Sequence, residues 1–345
     1  MSSIKYWFPR IVILNLVLVF VVIAAGAIVR ATGSGMGCPD WPTCFGKLIP
    51  PTHIDQVTWF PLQSYKKGEM IIRDEKLIVA KEVIKTGILF KPENWAAYEK
   101  HDYAIFNPVH TWVEFINRLA TVVLGFPVML MFGFSFFYWR EKKKNIVLSG
   151  LVVFLIGFQA WLGKIVVDRN LQGTTITYHM IGVFAILAVL IWLWHVNKKT
   201  DSLNQPNVSP IFKNLALSSV VLTLLMVVLG TQVREEIDLI AKTNADRSLW
   251  IDQLSNMFII HRSATWLVVL VNGWLLLKAI QNKWLTSKVY LIVILIVLEV
   301  ILGIVLSYLN VPVVSQPIHL FVAALIFTCQ FDLLITISSA DRQLK

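Results

Sequence analysis

Charged side chains are scarce in this sequence. Only 15% of the 345 residues are Asp, Glu, Lys or Arg, whereas 56% are hydrophobic. A water-soluble domain of this length needs more polar surface than such a composition can supply. The composition therefore excludes a soluble globular protein and predicts an integral membrane protein.

No convincing small-residue cleavage pattern follows the first apolar run, so we interpret that run as a retained helix rather than a signal peptide. Eight apolar runs approach or exceed the roughly 20 residues that a helix needs to cross a bilayer. They lie near residues 11–29, 112–138, 147–167, 175–196, 211–233, 257–279, 289–309 and 314–337. We predict an all-α integral membrane protein with eight transmembrane helices.

Acidic residues are outnumbered by basic ones, which gives a net charge of +10. The basic residues fall in alternate loops, at 139–145, at 195–199 and at the lysines between 278 and 288, whereas residues 234–252 lean acidic. This asymmetry predicts a multi-pass protein of the cell inner (plasma) membrane with both termini in the cytoplasm. The positive charge thus indicates topology and contact with membrane lipid, and it implies no nucleic-acid partner.

Segments of the first half recur in the same order in the second half. The matched pairs are 26–30 with 230–234, 115–121 with 259–265, 160–167 with 300–307, and 176–185 with 316–324. The repeat predicts two tandem four-helix bundles, at residues 1–200 and 201–345. In the first bundle we expect a long outer loop, 30–107, with a small amount of ordered structure. Each unit begins and ends in the cytoplasm, so the repeats are parallel.

Two of the three cysteines, Cys38 and Cys44, lie in the outer loop within GSGMGCPDWPTCFG. The outer side of a membrane is the oxidising side. Pro39 and Pro42 bend the chain between them, which lets the Cα atoms approach the ~5.5 Å that a disulfide needs. We predict a Cys38–Cys44 bridge, the alternative being two unlinked thiols. Cys329 is expected to be a small apolar filler in the last helix.

Three histidines, His179, His261 and His319, lie near the outer ends of the fourth, sixth and eighth helices. A single histidine at such a position is usually an interfacial residue, but the repeat pairs His179 with His319, and polar groups at membrane depth are functional candidates. Imidazoles on facing helices of a bundle suit an axially ligated haem, so we predict that His261 and His319 bind one haem iron. Zinc fits less well because it needs three or four convergent ligands.

The first bundle has Asn117 at the position where the second has His261. An amide is a poor iron ligand, so His179 is the predicted iron ligand here. His110 is a speculative substitute that would require the helix start to bend, since it lies about 10.5 Å further out. Glu114 occupies the same helical face, between His110 and Asn117. An iron with an open position beside a carboxylate is typical of a reactive site, whereas a bis-histidine site is typical of electron transfer.

Arg118 and Arg262 each follow the ligand position directly. Their guanidinium groups are candidates for binding haem propionates. The alternative is that each arginine extends to the outer lipid headgroups.

Together these features resemble the haem A synthases, membrane enzymes that oxidise haem O to haem A for cytochrome oxidase. The likeness spans the chain and rests on the tandem units, the GSGMGCPDWPTC loop, the EFINR motif at 114–118, and the histidines on helices 4, 6 and 8. The resemblance implies that Glu114 is catalytic, that the first bundle binds haem O, and that His261 and His319 hold a haem b. The sequence departs from the family pattern at Asn117, where a histidine is usual.

The resemblance also implies the reaction, in which successive hydroxylations convert a porphyrin methyl group to a formyl group. Haem O would come from a haem O synthase, and electrons would leave through haem b to an unknown acceptor. One alternative is a two-haem electron carrier of the cytochrome b type, a quinol oxidoreductase, but Asn117 and Glu114 have no evident role in it. A transporter is less favoured, because the polar residues cluster at the outer helix ends rather than at mid-membrane.

Overall fold

The computed structural model of the chain describes residues 2–99, 105–169, 173–198 and 209–343. Within these ranges it contains eight helices that are long and apolar enough to cross a membrane, which confirms the predicted fold class. The helices are α1 (Ser2–Ala31), α2 (Pro108–Ser135), α3 (Lys143–Asp168), α4 (Gly173–Asn197), α5 (Pro210–Thr243), α6 (Asn256–Asn282), α7 (Thr286–Tyr308) and α8 (Ser315–Gln343).

Local capping explains where α2 and α5 begin. The side chain of Asn107 accepts hydrogen bonds from the backbone N–H groups of Val109 and His110, at 3.0 and 3.3 Å. The side chain of Ser209 accepts in the same way from the N–H of Phe212. Both helices have proline as their first residue, where the missing N–H carries no cost. The Asn107 cap fixes the start of α2, the helix that carries Glu114.

Helix α5 is longer than the sequence analysis predicted. It continues through residues 234–243, which were interpreted as part of an acidic loop. The apolar run ends where the charged residues begin. The helix nevertheless continues, because Val233 and Ile237 form an apolar face. This face is buried against Trp250 and Val311. An ion pair between the half-buried Arg234 and Asp238, at 2.7 Å, supports the same stretch of helix.

The chain divides into two compact units. The loop unit comprises residues 25–122 and 160–172, and the helical unit comprises residues 1–24, 123–159 and 173–345. The former holds the long loop and the adjoining helix ends, and the latter holds most of the apolar helix length.

The loop unit has more regular structure than expected. Its strands are β1 (Ser64–Tyr65), β2 (Met70–Arg73), β3 (Lys76–Ala80), β4 (Ile84–Lys85) and β5 (Trp95–Ala97). Strands β1 and β4 form an antiparallel pair, and β3 lies between β2 and β5 in an antiparallel sheet. Asp74 and Glu75 both have positive φ, which matches the tight turn needed to join β2 to β3. The sheets cover two small apolar clusters, one of which contains both loop cysteines.

In the helical unit, α5 packs against α6 and α8, and α7 packs against the same two helices. Helix α4, from the first half of the chain, also packs against α5 and α8. The rings of Phe184 and Phe327 meet there at 5.0 Å, and the hydroxyls of Thr177 and Thr231 lie 2.9 Å apart. The division into two separate tandem bundles stays a prediction, since these contacts join α4 to the helices of the second half.

Candidate functional site

Glu114 on α2 is a buried carboxylate with partners for both oxygens. The residue is 3% exposed. Its Oε1 forms an ion pair with Arg118, one helical turn later, and its Oε2 accepts a hydrogen bond from the backbone N–H of Cys38 at 2.9 Å. A carboxylate removed from water is tolerated when it is paired and hydrogen-bonded in this way. The two partners hold the carboxylate in one orientation.

Arg118 joins the carboxylate to the cysteine loop. Its Nη1 donates to the backbone carbonyls of Asp40 and Thr43, at 2.7 and 2.9 Å. Its planar guanidinium can serve several acceptors at once, which a lysine ammonium does with less geometric precision. The structure therefore gives Arg118 a role within the loop unit, and its predicted contact with a haem propionate stays a prediction.

A close backbone contact seats the loop on the start of α2. The hydroxyl of Thr111 donates to the carbonyl of Gly37 at 2.8 Å. A Cβ atom at Gly37 would lie 2.7 Å from the backbone nitrogen of Thr111, so only glycine permits this approach. The contact brings the next residue, Cys38, within hydrogen-bonding distance of Glu114.

The predicted disulfide between Cys38 and Cys44 is present, with Cα atoms 4.8 Å apart. The two cysteines are 0% and 1% exposed and pack with Phe45, Val57 and Met70. The bridge lies at the centre of an apolar cluster of the loop unit, and the prediction is confirmed. Cys329 is a free, half-buried cysteine on α8, packed against the apolar cluster of the helical unit.

Asn117 lies on α2 with its side chain close to α1. Its Oδ1 is 3.7 Å from the position that a Cβ atom would take at Gly26. This oxygen is buried, and no hydrogen-bond partner for it occurs in the described part of the chain. Helix α2 is continuous from Pro108 to Ser135, so His110 and Asn117 are separated by about 10.5 Å along the axis. A shared iron would require His110 to move.

His261 and His319 are each placed opposite a glycine on the neighbouring helix. The His261 Cε1 atom lies 3.3 Å from the Cβ position of Gly230 on α5, and the His319 Cε1 atom lies 3.8 Å from that of Gly303 on α7. Within the described ranges, the Nδ1 atoms of both rings are buried without hydrogen-bond partners. Such unsatisfied ring nitrogens suit residues that bind a ligand absent from the protein chain itself.

The sequence analysis missed a second carboxylate within a helix, the half-buried Glu299 on α7. Its Oε1 lies 3.2 Å from Nδ1 of His319, although the two groups are not aligned as a hydrogen bond. A signal was available, because Glu299 immediately precedes the matched segment 300–307. The corresponding residue before segment 160–167 is Gln159.

Gln159 is also buried, at 7% exposure, and its side chain lies against Gly182 on α4. Neither polar atom of its amide has a hydrogen-bond partner among the residues described. Gly182 is three residues after His179 and so lies on the same face of α4. His179 has a buried Nδ1 atom that likewise finds no partner in the described segments.

Arg262 differs from Arg118 in its surroundings. It is exposed, its Nη2 donates to the hydroxyl of Tyr308 at 3.0 Å, and its guanidinium lies 5.6 Å from the centre of that ring. The described residues contain no group of three or more His, Cys, Asp or Glu side chains that could hold a metal ion between them. The chain thus offers separate histidines rather than a clustered metal site.

Comparison with known proteins identifies the family of the chain. Residues 9–85 and 90–331 match the COX15-CtaA family, which is described as cytochrome oxidase assembly protein. A haem A synthase of Shewanella oneidensis is 27% identical over 188 residues, which cover 54% of this chain and 44% of that protein. A haem A synthase of Nitrosomonas eutropha is 23% identical over 350 aligned positions, which cover 90% of this chain and 88% of that protein. The chain therefore belongs to the COX15-CtaA family of cytochrome oxidase assembly proteins.

Proposed function

We propose that this protein is a haem A synthase, an oxidoreductase that converts a methyl group of haem O to the formyl group of haem A. Two relatives bear that name. The observation that carries the proposal is the environment of Glu114. A buried carboxylate, oriented by Arg118 and by the N–H of Cys38, lies one helical turn before Asn117 at the ligand position. The second half has Phe258 at the position of Glu114.

The second half fits a haem b bound by His261 and His319. Their rings are placed opposite Gly230 and Gly303, whose missing side chains leave space beside each imidazole. When bound there, haem b would supply one-electron transfer to an acceptor outside the site.

The first half would bind the substrate, haem O, with His179 as the iron ligand. Its buried Nδ1 atom resembles those of His261 and His319 in having no partner among the described residues. Asn117 supplies a poor iron ligand, so the substrate iron would keep an open or labile position. His110 remains the speculative alternative donor.

Glu114 would act as the general base. Its carboxylate would take a proton from the methyl group, from a hydroxylated intermediate or from attacking water. Successive hydroxylations followed by loss of water leave the formyl group. Arg118 and the N–H of Cys38 keep the carboxylate aimed in one direction, and burial keeps bulk water away from it.

The charge distribution supports a location in the inner membrane with both termini in the cytoplasm. The loop unit would then lie on the outer side, where the Cys38–Cys44 bridge is stable. A haem O synthase would deliver the substrate within the same membrane.

The test is to express Glu114→Gln in cells that make haem O and to identify the extracted haems by mass. Glutamine keeps the shape of the side chain and an acceptor for the N–H of Cys38, but it removes the base. We expect haem binding to persist, the rate of haem A formation to fall about 10²- to 10⁴-fold, and haem O or a singly hydroxylated product to accumulate.

Thr111→Val is the matched control. It removes the hydrogen bond that seats the loop on α2 and keeps the Glu114 carboxylate, so it measures the effect of disturbing the loop alone. A loss of activity confined to Glu114→Gln supports the proposed base. If Glu114→Gln forms haem A at the normal rate, Glu114 only anchors the loop and is not the base. If the wild-type protein forms no haem A from haem O, an electron carrier with two haems becomes the better interpretation.

A further inference from the structure

Glu299 is an ionisable side chain within a helix that is otherwise strongly apolar. Its side chain is 19% exposed and its Oε1 lies 3.2 Å from Nδ1 of His319. The Oε2 atom of Glu299 and Nδ1 of His319 are both buried and lack hydrogen-bond partners in the part of the chain that is described. An intramembrane carboxylate is costly to keep, so its presence beside a candidate ligand indicates a role.

Helix α7 contacts the His319 ring through two residues on one face. Glu299 and Gly303 are one helical turn apart, and their side-chain positions lie over the same stripe of the helix. Gly303 leaves space next to Cε1, while the Glu299 carboxylate lies next to Nδ1. The other ring nitrogen, Nε2, is the one not in contact with the carboxylate.

We propose that Glu299 is a positioning residue for His319: when haem is bound, its carboxylate accepts the Nδ1–H, so that the Nε2 lone pair is held ready for the iron. This inference rests on the proposed haem b site. A histidine that binds a metal commonly donates its second N–H to a carboxylate, which fixes the tautomer and the ring orientation and makes the ligand more basic. A more basic ligand favours ferric over ferrous iron, so Glu299 lowers the reduction potential of the haem.

The first half has no carboxylate at the position that corresponds to Glu299. Its counterpart of Glu299 is Gln159, a neutral amide that packs against Gly182. An amide oxygen is a weaker acceptor than a carboxylate and carries no charge. Gln159 therefore provides the matched control position for a substitution at Glu299.

The experiment compares Glu299→Leu, Glu299→Gln and Gln159→Leu in purified holoprotein, by haem retention and by redox titration of the low-spin haem. Glu299→Leu should weaken haem retention about 10- to 100-fold, the range found when such supporting partners are removed. The reduction potential should rise, because loss of the carboxylate weakens the binding of ferric haem more than that of ferrous haem. Each tenfold change in the ratio of these two affinities corresponds to about 59 mV. Glu299→Gln should give a smaller rise, and Gln159→Leu should leave this potential unchanged.

Wild-type potential and retention in both Glu299 variants would overturn the proposal. If Glu299→Leu does not fold, the isosteric Glu299→Gln serves as the test. A raised reduction potential in Glu299→Gln supports the proposal, and the wild-type potential contradicts it. A wild-type protein without a low-spin haem that depends on His261 and His319 would overturn the proposed haem b site together with this inference. A wild-type protein that has this haem, and loses none of its properties in the Glu299 variants, overturns only the inference.

Discussion

The two halves of the chain place a carboxylate at different positions of the same repeat. Glu114 stands beside the ligand position of α2, where the second half has Phe258 on α6. Glu299 stands on α7, where the first half has Gln159 on α3. A carboxylate next to an open ligand position suits proton transfer, whereas a carboxylate behind a histidine suits ligand tuning. The proposal thus assigns two kinds of site to one repeated scaffold, and the two differ in the position of a carboxylate.

The glycines show what the halves have kept in common. Gly26 faces Asn117 and Gly230 faces His261, so a glycine on one helix lies opposite the ligand position on the next in both halves. The space is conserved between the repeats while the residue that fills it differs. On the proposed haem sites, the repeat preserves the space opposite residues 117 and 261, whereas the residue that would bind the iron differs between the halves.

The largest expected effect is the loss of the haem proposed for the second half, which would remove one side of the comparison between the halves. Replacing His261 or His319 by alanine should abolish the low-spin haem b spectrum, because a haem with one axial ligand lost is no longer bis-histidine ligated. His179→Ala is the control and should leave that spectrum in place while substrate haem binding is lost. Absorption and electron paramagnetic resonance spectra of the purified proteins check both. A low-spin signal that survives both single replacements would show that this site is wrongly assigned.

Asn117→His would make the first half resemble the second. The new imidazole would face Gly26, as His261 faces Gly230. We expect the first-half haem to become six-coordinate and low-spin, with activity kept if the arrangement usual in the family is restored. The same spectra report the change, measured in a His261→Ala background so that only the first half contributes. An unchanged spectrum would mean that residue 117 does not face the iron.

Removing the disulfide sharpens the comparison because the bridge belongs to the long loop of the first half. The bridge joins residues six apart in sequence, and a closed loop of that size stabilises by roughly 2 kcal/mol. Cys38→Ser with Cys44→Ser should make the loop more sensitive to protease and impair haem A formation without unfolding the helices. Cys329→Ser, on α8, is the control. Equal protease resistance in the two proteins would contradict a structural role for the bridge.

The smallest expected effect concerns Tyr98, which anchors the same loop. Its hydroxyl donates to the carbonyl of Pro39 at 2.5 Å. Burial, together with the carboxylates of Asp40 and Asp168, raises the pKa of Tyr98 to about 12 from its usual value of 10.0. The folded loop therefore disfavours the ionised phenol, so this contribution to stability is complete below pH 10 and is lost as the pH rises towards 12.

Tyr98→Phe should cost about 1 kcal/mol of loop stability at neutral pH, the usual value of one hydrogen bond. It should also flatten the decline in protease resistance above pH 10, whereas Tyr6→Phe, at an exposed position on α1, should leave that decline unchanged. An identical alkaline decline in Tyr98→Phe and wild type would assign the effect to other groups.

The sequence was sufficient for the helices and the bridge, because both depend on local signals. The length of an apolar run can be counted in the sequence, which predicts a membrane-spanning helix. The two cysteines are close in sequence and have two prolines between them, which predicts the bridge. The link between Cys38 and Glu114 spans 76 residues and uses a backbone N–H, which carries no residue-specific signal. The extension of α5 was missed because its charged residues outweigh Val233 and Ile237 in a count of hydrophobicity. Glu299 was overlooked because the matched segment was taken to begin one residue later, and because its neighbour His319 lies on another helix.

The hydrogen bond from Cys38 to Glu114 also sets an order of events during biogenesis. The donor is synthesised 76 residues before its acceptor, so the cysteine loop has no place to dock until α2 has been made. In the finished fold the two cysteines are 0% and 1% exposed and pack with Phe45, Val57 and Met70 of the loop, beyond the reach of an oxidising enzyme. We expect the thiols to be joined in the interval between synthesis of the loop and completion of this packing. A protein that misses this interval would carry its reduced cysteines into the finished fold.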